Sequence, residues 1–135
     1  MNSTPIKPDN RRNFVRIDFP IPLKSQLIRH SSPPLPITLI NLSATGVAIL
    51  CPEELNVGEV VKIVIPLKII NNDIFEMGAV PVNKYSKQAT GTRYGLSFIT
   101  TPSERGMPFI TEEKKTQITR YINQYLIEQR KKGVG

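Results

Sequence analysis

Apolar and polar residues alternate along most of this chain with a period of two, and the period changes once. Val61, Ile63, Ile65, Leu67 and Ile69 fall on one face of an extended segment, with Lys62 and Lys68 on the other. That alternation predicts a long half-buried strand, in which Pro66 is tolerable only at an edge or bulge. Ile37 to Ile40 and Val47 to Cys51 predict two short strands, and Arg93 to Ile99 predicts another with Tyr94, Leu96 and Phe98 on one face. Ile74 to Tyr85 predicts a strand pairing back after the turn signal Asn71-Asn72-Asp73, and Lys87 to Gly91 predicts a further turn. Near the front, Ile17, Phe19, Ile21 and Leu23 alternate with Asp18, Pro20 and Pro22. The prolines block a central strand there, so an extended segment is expected that becomes a strand only over Lys24 to Arg29.

The change of period comes after residue 110. Ile118, Ile122, Tyr125 and Leu126 recur at helical spacing, behind Thr111 as a cap and Glu112 and Glu113 in a first turn. Arg130 to Lys132 suit the negative end of the helix dipole, and Gly133 is expected to stop the helix. Six or seven short strands followed by one amphipathic helix suggest a closed barrel or a sandwich, and a small antiparallel barrel is favoured, with the stripe Ile118/Ile122/Leu126 packed on it. Residues 1–10 are Pro- and Asn-rich without periodicity and are expected to form a flexible arm.

Length and composition fit one domain: 135 residues with 39% hydrophobic side chains, gathered in dense clusters of Val, Ile and Leu. No apolar run approaches the roughly 20 residues that a membrane span needs, and Met1 to Pro8 has no leader signature. A cytoplasmic protein without membrane insertion is therefore expected. The net charge of +7 is unevenly placed. Residues 1–30 hold six basic and two acidic side chains, residues 31–111 six and six, and residues 112–135 six and three. A general nucleic-acid binder more often spreads cations over its folded body. Here the anion preference belongs to the ends.

The chemistry for catalysis is thin. Cys51, the single cysteine, sits in an apolar run and reads as an inert buried thiol, and His30, the single histidine, reads as a solvent-facing loop residue. Neither completes a metal site or a Cys-His nucleophile. Asp18 has no partner carboxylate, and no phosphate-cradling Gly-rich loop occurs. No enzyme, no metal and no resident cofactor are expected. What stands out is a basic cluster, Arg11-Arg12-Asn13-Phe14-Val15-Arg16, and a polar insert between apolar runs, Asn41-Leu42-Ser43-Ala44-Thr45-Gly46. Guanidinium forks match phosphate and equally the O6 and N7 edge of guanine. The amide, hydroxyl and glycine supply a tight turn, and Gly46 permits a positive φ or a close approach.

Arg12-x-x-x-Arg16 followed by Asn41-x-Ser43-x-x-Gly46 resembles the PilZ domain, the bacterial receptor module for cyclic di-GMP, whose pattern is RxxxR and then [D/N]xSxxG. Tyr94-Gly95-Leu96-Ser97-Phe98 is similar to the family's closing strand. The resemblance covers about residues 10–130. It implies an all-β fold with one helix: a six-stranded antiparallel barrel with its arginine loop over residues 11–110, then a C-terminal α-helix over 111–132 packed on the barrel. It implies that Arg12 and Arg16 clamp phosphates and guanine edges, that Asn41, Ser43 and Gly46 contact a guanine, and that the arm closes over the ligand as an order–disorder switch. In this family an arginine at the position of Arg11 tends to accompany a stacked ligand dimer, its guanidinium lying over a guanine, so an intercalated cyclic di-GMP dimer is expected. The implied role is that of a receptor or adaptor whose arm regulates an unidentified protein partner in motility, biofilm or exopolysaccharide output.

Two rivals use the same residues. A basic barrel binding single-stranded nucleic acid needs exposed aromatic platforms. Tyr94 and Phe98 instead share a face with Leu96 that reads as core, leaving Phe14 within the basic cluster. A ligand-free interaction module of the same family would typically lack the arginines or the second motif, and this chain has both.

Overall fold

The alternation of Val61, Ile63 and Ile65 with Lys62 and Val64 separates inside from outside in the computed structural model, which describes residues 16–70 and 73–134. The first three side chains have no exposed surface, while Lys62 and Val64 are half-buried. The same rule runs through six antiparallel strands: β1 (Arg16–Ile28), β2 (Leu35–Ser43), β3 (Gly46–Cys51), β4 (Val61–Ile65), β5 (Phe75–Gln88) and β6 (Gly91–Phe98). They close into a barrel in the order β1-β2-β3-β6-β5-β4, with β4 pairing back onto β1. Each strand sends one side chain to a shared centre: Leu27, Leu39, Ile49, Ile63, Met77 and Tyr94, none more than 1% exposed. Closure leaves no long unpaired edge to attract another chain.

Helix α1 (Glu112–Val134) follows. The Lys114 backbone N–H donates to Thr111 Oγ1 at 3.1 Å, so the expected cap is formed. Ile118 and Ile122, one turn apart, are fully buried in the same core as the barrel interior. Burying each contributes about 1.5–3 kcal/mol. Tyr125 meets Phe19 edge-on at 6.0 Å between ring centroids, and the helix lies against β1 and β2. It reaches Val134, so Gly133 falls one residue inside its end rather than stopping it, within the range over which helix ends fray. No helix among the described residues is long and apolar enough to cross a membrane.

Three further expectations are corrected. The strand before Lys24 is not blocked: β1 starts at Arg16 and runs through both prolines. Asp18 faces Asn41 and Leu23 faces Leu39, so β1 advances five residues where β2 advances two. This bulge takes Pro20 and Pro22 out of the ladder, where their missing N–H groups are not needed. The long strand to Ile69 is cut short at Ile65, because Pro66 cannot donate to the next rung. Tight turns take over, with Leu67 N–H to Ile65 O at 2.8 Å and Ile69 N–H to Leu67 O at 3.1 Å, and they still deliver Ile69 to the core. Strand β5 extends to Gln88, which narrows the following turn to Ala89-Thr90. The turn signal at Asn71-Asn72 lies outside the described residues.

The connectors are tied down individually. Arg29, just past β1, grips Glu59 with two hydrogen bonds of 3.1 and 3.0 Å, and Glu59 accepts the Asn56 N–H at 2.6 Å. Residues 99–110 form a loop closed at its base, with Ile110 N–H donating to Ile99 O at 2.7 Å and Gly78 N–H to Pro108 O at 2.8 Å. Cys51 is buried, and desolvation pushes its thiol pKa up, in keeping with an inert group. His30 is exposed, with Nδ1 3.0 Å from Arg105 Nη1.

Inside the barrel, the Tyr94 hydroxyl accepts the Leu55 N–H at 2.8 Å and faces the Leu55 carbonyl at 3.4 Å. Tyr94→Phe keeps the ring and strands a buried backbone N–H. It is expected to cost about 1–3 kcal/mol, read as a lower urea midpoint at unchanged slope.

Candidate functional site

The polar insert and the end of the basic cluster, far apart in sequence, are neighbours in the barrel. Ile17 pairs with Leu42 across β1 and β2, and both are fully buried. Their burial turns the flanking pairs outward: Arg16 opposite Ser43, and Asp18 opposite Asn41. Arg16, Asn41, Ser43 and Gly46 all line one outward groove of about 890 Å³. Arg11 and Arg12, together with Phe14 and the expected arm over residues 1–10, lie outside the described residues.

The turn between β2 and β3 is built by Ser43. Its Oγ accepts the Thr45 N–H at 3.3 Å, lies 3.2 Å from Thr45 Oγ1 and 3.4 Å from the Gly46 carbonyl. This is the local side-chain-to-backbone bonding that favours serine in turns. The Thr45 carbonyl accepts the Phe98 N–H at 2.9 Å, which fastens the turn to β6. Of the positive φ and the close approach that glycine permits here, Gly46 shows the close approach, and it is made by backbone. Its φ is not in the left-handed region, where Gly58, Gly91 and Gly106 lie, and a Cβ there would overlap the Leu96 carbonyl oxygen. The glycine is required because β6 passes directly over it.

The groove continues beyond the two motifs. Asn41 pairs with Ala48, Ala48 with Gly95 and Gly95 with Asn83, one row across β2, β3, β6 and β5. Two amides therefore face each other over a floor of a methyl group and a hydrogen. At one strand spacing per step they stand about 14 Å apart. No side-chain hydrogen bond is made by Asn41 or Asn83 with the described residues. Val82, Tyr85 and Arg93 raise the far wall, and Ser97 stands beside Gly46. None of these far-wall residues was singled out by the sequence. For Arg93 the signal was the outward parity of β6, where Arg93, Gly95 and Ser97 alternate with the core residues Tyr94, Leu96 and Phe98; Val82 and Tyr85, on β5, had none.

Electrostatically the groove is cationic. Arg16 and Arg93 line it, and no carboxylate does among the described residues. Arg16 Nε lies 3.5 Å from Asp18 Oδ1, with both side chains over 60% exposed, so water screens the pair and an arriving anion can displace it. Arg93 makes no ion pair with the described residues. Paired amides, a guanidinium fork and a hydroxyl suit an anionic ligand with hydrogen-bonding ring edges.

The sequence matches the family model described as PilZ domain over residues 10–124. No curated protein matches it. Among solved structures the fold is similar to that of YcgR from Escherichia coli in complex with c-di-GMP, with a TM-score of 0.70 and 23% identity over 91% of this chain and 49% of that one. It is similar to the Bacillus subtilis inhibitor of motility MotI/DgrA, with a TM-score of 0.64 and 20% identity over 89% and 53%. It is also similar to the separate PilZ domain of E. coli YcgR with c-di-GMP, with a TM-score of 0.63 and 22% identity over 91% and 97%. The chain thus spans about half the length of the first two proteins and nearly all of the third. At these identities the likeness is one of fold.

Gly46→Ala forces the β3 and β6 backbones apart at the groove rim. It is expected to destabilise by about 1–3 kcal/mol, seen as a lower melting temperature, whereas Ala48→Gly, which removes a methyl from the groove floor, changes stability less.

Proposed function

Since the chain belongs to the PilZ domain family, we propose that it is a receptor for cyclic di-GMP and that the cationic groove is its binding site. One observation supports this reading: the register of β1 against β2 sets Arg16 opposite Ser43 and Asp18 opposite Asn41, so the last residue of the arginine motif meets the second motif on one outer face. The E. coli YcgR structures of similar fold contain c-di-GMP. The cyclic dinucleotide carries two phosphate charges and two guanines. A groove with guanidinium forks on its walls, and amides at both ends of its floor that make no side-chain hydrogen bond with the described residues, complements both.

In this proposal Arg12 and Arg16 clamp phosphates and guanine edges, the Asn41 carboxamide reads a guanine, and Ser43 and Gly46 hold the turn that presents it. Arg11 stacks on a guanine and favours an intercalated dimer, two ligands per chain. Residues 1–10 act as an arm that closes over the groove at a cost in chain entropy, offset by charge-assisted hydrogen bonds. That closure makes or uncovers a surface for a protein partner, in the cytoplasm, with motility, biofilm or polysaccharide output as the result. The protein acts as a receptor rather than an enzyme. Tyr94 and Phe98 are buried, which removes the stacking platform that the nucleic-acid reading would have drawn from β6.

Isothermal titration is expected to give micromolar or tighter binding with two cyclic di-GMP per chain. Arg12→Ala and Arg16→Ala are each expected to weaken it by about 10- to 100-fold. Wild-type affinity in either variant removes that residue from the clamp. Asp18→Asn releases Arg16 and takes a negative charge from the rim. It is expected to tighten binding by about 2- to 5-fold, most at low salt; unchanged or weaker binding shows that Asp18 does not compete for Arg16.

A further inference from the structure

The far wall of the groove has its own construction. Lys84 pairs with Tyr94 and Lys87 with Thr92, so β5 takes three steps where β6 takes two. The extra residue is a bulge, a device that re-aims a side chain. Here it brings Tyr85 over β6. The ring lies against Gly95: Cε2 and the hydroxyl stand 3.4 and 3.5 Å from where a Cβ would be. Glycine thus leaves a seat for the aromatic ring, yet Tyr85 remains 51% exposed. Arg93 places its guanidinium 5.6 Å from the ring centroid and has no carboxylate partner among the described residues.

We propose that Tyr85 and Arg93 form a second base-binding shelf, which takes a guanine other than the one read by Asn41. The inference rests on the reading of the groove as a cyclic di-GMP site. Its own support is independent of the family motifs. A half-exposed aromatic ring and a guanidinium without a carboxylate partner among the described residues stand together in the groove, on the β5–β6 side away from Asn41. A purine stacks on such a ring regardless of sequence, and the guanidinium fork adds selectivity for the O6 and N7 edge of guanine. The two guanines of a cyclic dinucleotide project from opposite sides of its sugar–phosphate ring, so a ligand held at Asn41 has a second base to place. The bland alternative is that Tyr85 only covers the glycine and Arg93 only covers Tyr85. That role changes folding stability and leaves ligand affinity alone.

Titration of cyclic di-GMP into the wild type and three variants separates these, with a thermal melt of each. Tyr85→Leu keeps apolar cover over Gly95 and removes the π face. It is expected to weaken binding by about 5- to 100-fold with little change in melting temperature. Arg93→Met is expected to weaken it by about 5- to 50-fold, while Tyr85→Phe, which keeps the ring, stays within about 2-fold of wild type. Wild-type affinity in both Tyr85→Leu and Arg93→Met overturns the shelf and leaves the receptor reading standing, provided that Arg16→Ala still loses affinity. Failure of the wild type itself to bind overturns the receptor reading and the shelf with it.

Discussion

Ile17 and Leu42 meet across β1 and β2 with no surface exposed, and their burial fixes a parity. Side chains in a strand alternate faces, so a pair locked inward turns its neighbours outward. Arg16 with Ser43 and Asp18 with Asn41 are those neighbours. A slip of one residue would put Leu42 in water and the motif residues in the core, at a cost of several kcal/mol in lost apolar burial alone. The placement of the polar chemistry is thus enforced by apolar side chains that take no part in it. Barrel closure strengthens the constraint, because β1 is also held by β4 on its other side, through Gln26, Leu27 and Ile28.

The groove is shaped as much by what is missing as by what is present. Gly46 admits the β6 backbone, and Gly95 admits the Tyr85 ring. Ala48, with only a methyl group, keeps the floor low between them. Larger side chains at these positions would either part the strands or fill the trough. The polar walls then rise from both ends of one row, and among the described residues no carboxylate lines the space between the two cations, although Asp18 reaches Arg16 at the rim.

Much of this was legible in the sequence, and the limits are instructive. The alternation in β4 and β6, the Thr111 cap and the Ile118/Ile122 stripe follow from local periodicity, and each stands where the pattern put it. The ordered motif pair pointed to the family and to one rim of the groove. Prolines misled twice in opposite directions: Pro20 and Pro22 are absorbed by a bulge, whereas Pro66 ends a strand whose apolar alternation continues past it. Whether a proline breaks a strand depends on a partner's register, which no local pattern records. The far wall was missed for the same reason. Tyr85 is aimed by a bulge, and Arg93 reads as an ordinary outward charge until the ladder sets it beside Tyr85. Gly46 was noticed, but its reason lies in Leu96, fifty residues away.

The loop over residues 99–110 has a consequence for anyone wishing to modify the protein. Its two ends are hydrogen-bonded to each other, and its base is stitched to Gly78. Helix α1 therefore takes its starting position from β5 and β6, not from the length of chain that precedes it. Thr100 and Thr101 at the loop's near end are exposed. Extra residues there lengthen a closed loop, whose entropic cost rises only logarithmically, by about 0.6 kcal/mol per doubling. The barrel thus carries a built-in attachment point for a fluorescent reporter, on a segment that contributes nothing to the lining of the cationic groove.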